Sequence, residues 1–541
     1  MDYLIGVNIG TTCTKAVLYD QDFNALASAS RSHHLFRDEP EMLEEDPDEI
    51  FDTVVDTLHE VVGKADLNNG TLRGVSFSSM MHSLIGLNRV NKPLTRVLTW
   101  GDNRAAKYAA EMKQNGAGLK IYQRTGMPTH PMALPYKLIW LKNEHPEIFE
   151  RTTCWLGIKD YVFWRLFGVL KTDISSASAS GLLNLKELDW DKETLKLIGI
   201  SVDQLPQLAS PYEQVRGLRS QIAAKIGLPM DTPFILGAAD GPMDNLGVGA
   251  LDQGTTAITI GDTSGAVRVI TDQPRFDIEG RLFCYALDEE HWVVGGPINA
   301  GNTVFSWAGD KLFAPEKQLA NMMHEESLDV VAKIAKTIPA GSDGLIFHPF
   351  LNGERAPMWN ANARGSFFGL TPHHTRAHMA RAVLEGTVYE LYAISLTLET
   401  VVGEPRQIMA TGNFARFGLW RQILADVFQS PVAIPQEQDS RTLAAVVMGM
   451  KSLGMIKKID VIKEHLKKAA TCQPDPVTYD IMISIKRWYQ SMFSSAAICS
   501  RNTMPLPTFS ISTVTLTNYK KERVLPCSFF VSNAISPKVS A

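Results

Sequence analysis

What the chain lacks excludes more than its bulk composition does. The six cysteines (Cys13, Cys154, Cys284, Cys472, Cys499, Cys527) are scattered without a Cys-x-x-Cys pair, so free thiols in a reducing compartment are expected. No basic run stands out and the formal net charge is −5, which argues against nucleic acid as a partner. No uninterrupted apolar stretch reaches the roughly 18 residues a membrane helix needs. The N-terminus enters a strand at once, without the basic region and cleavage site of a secretory signal. These absences predict a cytoplasmic protein with no membrane contact. The glycine-rich Walker A sequence of a P-loop enzyme is missing as well. What remains is ordinary: 541 residues, 45% apolar and 21% charged, too long for one core and expected to divide into at least two domains.

The first feature present is a hairpin. Leu4-Ile5-Gly6-Val7-Asn8-Ile9 reads as a strand, Gly10-Thr11-Thr12 as a tight polar turn, and Thr14-Lys15-Ala16-Val17-Leu18 as a second strand. Such a turn offers backbone N–H groups and hydroxyls to an anion, and glycine lets the chain approach closely. Residues 256–267 repeat this grammar half a chain later, around Gly261-Asp262-Thr263-Ser264-Gly265. Either alone reads as an ordinary hairpin. Paired at the start of two halves, they suggest a nucleotide held by its phosphates between two domains.

Between the hairpins, residues 46–62 carry apolar side chains at helical spacing, 72–87 read as strand, polar turn, strand, and 103–114, 133–142 and 160–166 read as helices. Residues 234–239 form a buried strand expected to end in a polar turn at Asp240-Gly241. The second half restarts with strands at 257–260, 266–270, 282–287 and 292–295, then helices at 378–398, 419–428 and 442–452. This alternation predicts two α/β domains, most economically by duplication of one fold. We expect an N-terminal domain at 1–246 and a C-terminal domain at 247–493. Residues 494–541 are rich in Ser and Thr with Glu522 as their sole acid, and are expected to form an atypical, disordered tail.

Gly365-Ser366-Phe367-Phe368-Gly369-Leu370, seven residues, then His378-Met379-Ala380-Arg381-Ala382-Val383-Leu384-Glu385 resembles the second signature of the FGGY family of carbohydrate kinases. Residues 132–144 resemble the first, departing at Leu134, where a small residue or Pro is usual. Gly353-Glu354-Arg355-Ala356-Pro357 and Trp100-Gly101-Asp102-Asn103-Arg104 look like family loops. Residues 76–87, 284–287 and 291–299 look most like the gluconokinases within it. The resemblance covers about residues 2–493. It implies two actin-like (ribonuclease-H-like) α/β domains around a cleft, ATP and magnesium as cofactors, and a small-molecule sugar or sugar acid as substrate. Homodimers are familiar in the family, so a homodimer is a possible state.

By position, the resemblance makes Asp240 the general base and puts Met81, His82, Trp100, Asp102 and Arg104 around the sugar, Arg104 holding a carboxylate if the substrate is an aldonate. A turn-capping Asp240, a core-edge His82 and a structural Asp102–Arg104 pair are the plainer alternatives. Gly10, Thr11, Thr12 and Lys15 would meet the phosphates from one domain, and Thr263, Ser264, Gly265, Asn302, Gly412 and Asn413 from the other. Asn8 would meet magnesium through water. The trio His373, His374 and His378 reads as a solvated helix start, since no further ligand completes a metal set.

Several nucleotide-side positions depart from the family pattern. Asn8 replaces an aspartate, Asp262 looks like an extra residue in its turn, Asn302 and Asn413 stand where glycines are usual, and Ala444 stands near another; on the better-preserved substrate side Asp240 is intact, though Met80 replaces a common Gln. A unit charge at ~4 Å in an effective dielectric near 20 is worth ~4 kcal/mol, or ~10³-fold in rate if felt fully in the transition state. The candidate functions are therefore a sugar-acid kinase, a pentulose kinase, a sugar- or nucleotide-binding protein with impaired catalysis, and an actin-like ATPase.

Overall fold

A computed structural model describes residues 2–481 and 484, apart from 40, 66–69, 323, 325, 436–438 and 467–469. The expected tail at 494–541 lies outside the described residues. Strands β1 (Asp2–Ile9), β2 (Cys13–Asp20) and β3 (Ala25–Ser32) form an antiparallel meander. Helix α1 (Pro47–Lys64) follows, started by the Asp46 carboxylate, which accepts from the N–H groups of Asp48 and Glu49, and by Pro47 in the first turn. Strands β4 (Thr71–Ser79) and β5 (Phe234–Ala239) then add in parallel on the other side of β1. The resulting order is β5-β4-β1-β2-β3, with Gln214–Val215 as a short edge beyond β5.

The expected turn at Asp240 is instead the start of helix α2 (Asp240–Gly247). Pro242 falls in its first turn, where a missing N–H is tolerated.

The second half repeats the plan. Strands β6 (Thr255–Ile260), β7 (Gly265–Thr271) and β8 (Trp292–Ile298) are antiparallel. After the long helix α3 (Arg376–Val402), strands β9 (Gln407–Thr411) and β10 (Val432–Ile434) add in parallel to β6. The order β8-β7-β6-β9-β10 mirrors the first sheet, with Phe283–Ala286 and Ala470–Cys472 on its two edges. Helix α4 (Ser440–Ser452) follows β10 in sequence.

Side-chain alternation along β1 sorts the two faces of the first sheet. Tyr3, Ile5, Val7 and Ile9 share a core with Ile50, Val54, Leu58 and Val61 of α1, each fully buried aliphatic contributing about 1.5–3 kcal/mol. The other face is covered by α4, which crosses from the second half onto β1 and β4. Contact is close enough that a Cβ on Gly6 would overlap the Thr442 carbonyl, and one on Gly247 of α2 would overlap that of Ser440. Among the described residues no helix is long and apolar enough to cross a membrane.

Candidate active site

Three parallel strands end in one row. Ile9 pairs with Ser79, and Ser79 with Ala239, so Gly10, Met80 and Asp240 follow together at the carboxyl edge, where α/β sheets present ligands. Asp240 lies 3.1 Å from Arg441 Nη1. Arg441 also donates to both oxygens of Asp244, one turn along α2, at 2.9 and 3.1 Å. The two carboxylates differ in access: the Asp240 side chain is 15% exposed and that of Asp244 3%. Burial raises the pKa of Asp240 above the usual carboxylate range; Arg441 opposes this and the Asp244 charge adds to it. Burial works the same way on Asp244, but Arg441 and Arg268 outweigh it and hold that carboxyl below its ordinary value. The arrangement is one accessible, more basic carboxylate beside one fixed anion.

The hairpin between β1 and β2 is closed by Gly10 N donating to Cys13 O at 3.0 Å. Thr11 Oγ1 accepts from Trp100 Nε1 at 2.9 Å. Lys15 is paired to both oxygens of Asp439, just before α4, at 2.7 Å. Directly opposite Lys15 in the register is Asn8, whose buried Oδ1 has no hydrogen-bond partner.

The second hairpin has the same geometry. Gly261 N donates to Ser264 O at 2.9 Å, and the flanking pairs Ile9–Thr14 and Ile260–Gly265 enclose loops of equal length. Asp262 therefore occupies the place of Thr11 and does not lengthen this loop beyond its counterpart. Its carboxylate accepts from Asn413 Nδ2. The close approaches are made by the residues before the two asparagines. A Cβ on Gly301 would stand 2.6 Å from Gly261 O, and one on Gly412 (φ +115°) would overlap Ile260 O. Asn302 then opens a helix and Asn413 a 3₁₀ turn. Asn302 Oδ1 is buried without a partner.

Around the expected sugar position, His82 is buried with φ 62° and donates from Nδ1 to Ala179 O at 2.7 Å. Burial, then the charges of Lys137 and Arg355, push its pKa down to about 3, so the ring is neutral. Lys137 donates to the carbonyls of His82 (2.7 Å) and Thr99 (2.6 Å), and burial lowers it to about 7. The Met81 methyl packs against Gly241 and the Tyr285 ring meets His82 edge-on at 5.8 Å.

Arg104 is engaged within the protein. Its Nε and Nη2 edge, the one suited to two-point carboxylate binding, is taken by Asp102 (3.1 and 2.7 Å) and by Glu44, and its guanidinium lies 4.5 Å from the centre of the Trp140 ring. Burial opposes its charge, but the bonds to Asp102 and Glu44 prevail and raise its pKa. The structural Asp102–Arg104 pair, the plainer alternative, is thus formed, with Glu44 as a second anion. The histidine trio gains a partner invisible in sequence: Asp343 Oδ2 lies 3.0 Å from His378 Nε2 and 3.6 Å from His373 Nε2. His378 Nδ1 accepts from Thr375 N at 3.1 Å, which caps α3. Sequence reading missed Arg441, Asp244 and Arg268 altogether, because each acquires its partners only through the crossing of α4 and the pairing of β6 with β7.

Comparison with known proteins agrees with this architecture. The model of the N-terminal domain of the FGGY family of carbohydrate kinases matches residues 3–247, and that of the C-terminal domain residues 257–453. A gluconokinase of Bacillus subtilis (strain 168) is 43% identical over 465 residues, 86% of this chain and 90% of that protein. The crystal structure of gluconate kinase from Lactobacillus acidophilus superposes with a TM-score of 0.85 at 40% identity, covering 92% of this chain and 98% of the other. A ligand-bound xylulose kinase from the same organism gives a TM-score of 0.86 at 40% identity, over 92% and 99%. Two actin-like (ribonuclease-H-like) domains, each built on the strand order above, are the shared fold. The chain belongs to the FGGY family of carbohydrate kinases, phosphotransferases that act on an alcohol group with ATP as donor.

Proposed function

We propose that the protein phosphorylates gluconate to 6-phosphogluconate, with Asp240 as general base. The observation that carries this reading is the row Gly10, Met80, Asp240, in which one accessible carboxylate of raised basicity stands beside a phosphate-gripping turn. The C6 hydroxyl oxygen attacks the γ-phosphorus, its proton passes to the Asp240 carboxylate, and the bond to the β-phosphate oxygen breaks to release ADP. Arg441 fixes the direction of that carboxylate and, through Asp244, stays charged: burial disfavours its cation, but the two aspartates outweigh this and raise its pKa. Gly10, Thr11 and Thr12 meet the phosphates from one side, Thr263, Ser264 and Gly265 from the other, with Gly301 and Gly412 keeping the second hairpin low. Met81, neutral His82 and Trp100 frame the sugar.

Magnesium fits the residues present: the unpartnered buried Oδ1 of Asn8 is a hard oxygen acceptor, suited to one of the metal's waters. Bound there, the metal would neutralise phosphate charge. Domains at 1–246 and 247–493, a cytoplasmic location and a homodimer belong to the same proposal. The likeness to a xylulose kinase favours a pentulose as second reading.

The test is ADP release with ATP and gluconate, xylulose, ribulose or glycerol. Gluconate-dependent turnover that Asp240→Asn abolishes is expected. Turnover on xylulose alone moves the assignment to the pentulose, sugar binding without turnover moves it to a binding protein, and sugar-independent hydrolysis to an ATPase.

A further inference from the structure

Two arginines on the sugar side lack the partners their burial requires. Arg268 on β7 and Arg355 in the 353–357 loop are 7% and 6% exposed. Arg268 gives Nη1 to Thr259 Oγ1 (3.1 Å) and lies 3.4 Å from Asp244 Oδ2. Arg355 gives Nη2 to Ile298 O at 2.6 Å. The Nε–H of each is buried and has no hydrogen-bond partner. Leaving a buried donor unpaired is costly, and more so for a charged group. Such a donor calls for a partner from outside the chain, an ordered water, an ion or a ligand.

Both side chains reach the residues that frame the sugar. A Cβ on Gly241, next to Asp240, would stand 3.7 Å from Arg268 Nε and 2.7 Å from the Met81 methyl. The Arg355 guanidinium lies 4.9 Å from the centre of the Trp100 ring. Several groups here feel cationic neighbours. Burial and the neighbouring cations keep His82 and His130 neutral. Burial, with Arg268 adding to it, lowers Arg355 to about 10. Burial raises the pKa of Glu354 and Glu390 well above the usual carboxylate range.

We propose that Arg268 and Arg355 together bind the carboxylate of the sugar acid and select it over neutral sugars. The inference rests on the sugar-acid reading above and assigns to this pair the contact that Arg104 is too engaged to make. A carboxylate satisfies both free Nε–H groups with charge-assisted bonds.

The experiment measures KM for gluconate and for ATP, with kcat, on single preparations of wild type, Arg268→Met, Arg355→Met and the two lysine variants. Each methionine variant is expected to raise the gluconate KM by about 10- to 100-fold, the range of a charged hydrogen bond, with the ATP KM unmoved and partial recovery in lysine. A general structural role moves both KM values together, and that result overturns the inference. Failure of wild type to turn over gluconate overturns the sugar-acid reading first and this inference with it. Normal gluconate turnover by wild type, with no change of gluconate KM in either methionine variant, overturns the inference alone.

Discussion

In the first hairpin the residue after Gly10 is Thr11, whose hydroxyl is tied to Trp100. In the second, the residue after Gly261 is Asp262, whose carboxylate is tied to Asn413. Backbone and length are the same; the side chain alone differs. The neighbouring strands differ in the opposite sense, since β1 carries Asn8 where the family pattern has an acid. One half thus lacks a carboxylate where magnesium is expected, and the other has one where phosphates are expected. The comparison teaches that the shape of the hairpin is a property of the repeated backbone, while the charge it carries is set residue by residue. In the proposed mechanism the general base comes from the first half, where the row of the first sheet ends in Asp240.

Asp240→Asn attacks that asymmetry most directly. Turnover should fall by about 10²- to 10⁴-fold, the range for losing a general base, in a coupled ADP assay with an unchanged melting temperature as control. Asn8→Asp restores the missing charge, and turnover should rise, with ~10³-fold as the ceiling set by a unit charge at ~4 Å; an unchanged rate in folded protein removes Asn8 from the nucleotide site.

Arg441→Gln tests the environment of the base. Arg441 lowers a proton affinity that burial has raised, so removing it makes Asp240 more basic. The acid limb of kcat/KM against pH should move to higher pH by about one unit, and a shift the other way contradicts the assignment. Asp262→Thr makes the second hairpin a copy of the first. With an exposed charge gone, the ATP KM should drop only about two- to five-fold, less at high salt.

Strands and the two hairpins were legible because period-two alternation and glycine-polar turns leave a local trace. Asp240 was legible by its place at the end of a buried apolar run, although the helix it starts was hidden by Gly241-Pro242, which breaks the usual pattern. The equal length of the hairpins was not visible, because register is settled by pairing. Nor was the partnership of Asp240 with Arg441, some 200 residues away in sequence, because α4 acquires its place only by packing on Gly6. Arg104 shows the converse: its charge suggested a ligand, and its neighbours in space had already claimed it.

Helix α4 has a consequence for how the molecule can be taken apart. It is encoded in the second repeat yet roofs the sheet of the first, and it brings both the Lys15 partner beside its start and the arginine that pairs with Asp240. Residues 1–246 made alone would leave uncovered the sheet face that carries Leu4, Gly6 and Ser76, and would leave Asp240 without Arg441. Two halves built on one strand order thus exchange a part, so a cut at the repeat boundary keeps the first sheet covered only if the helix is carried across.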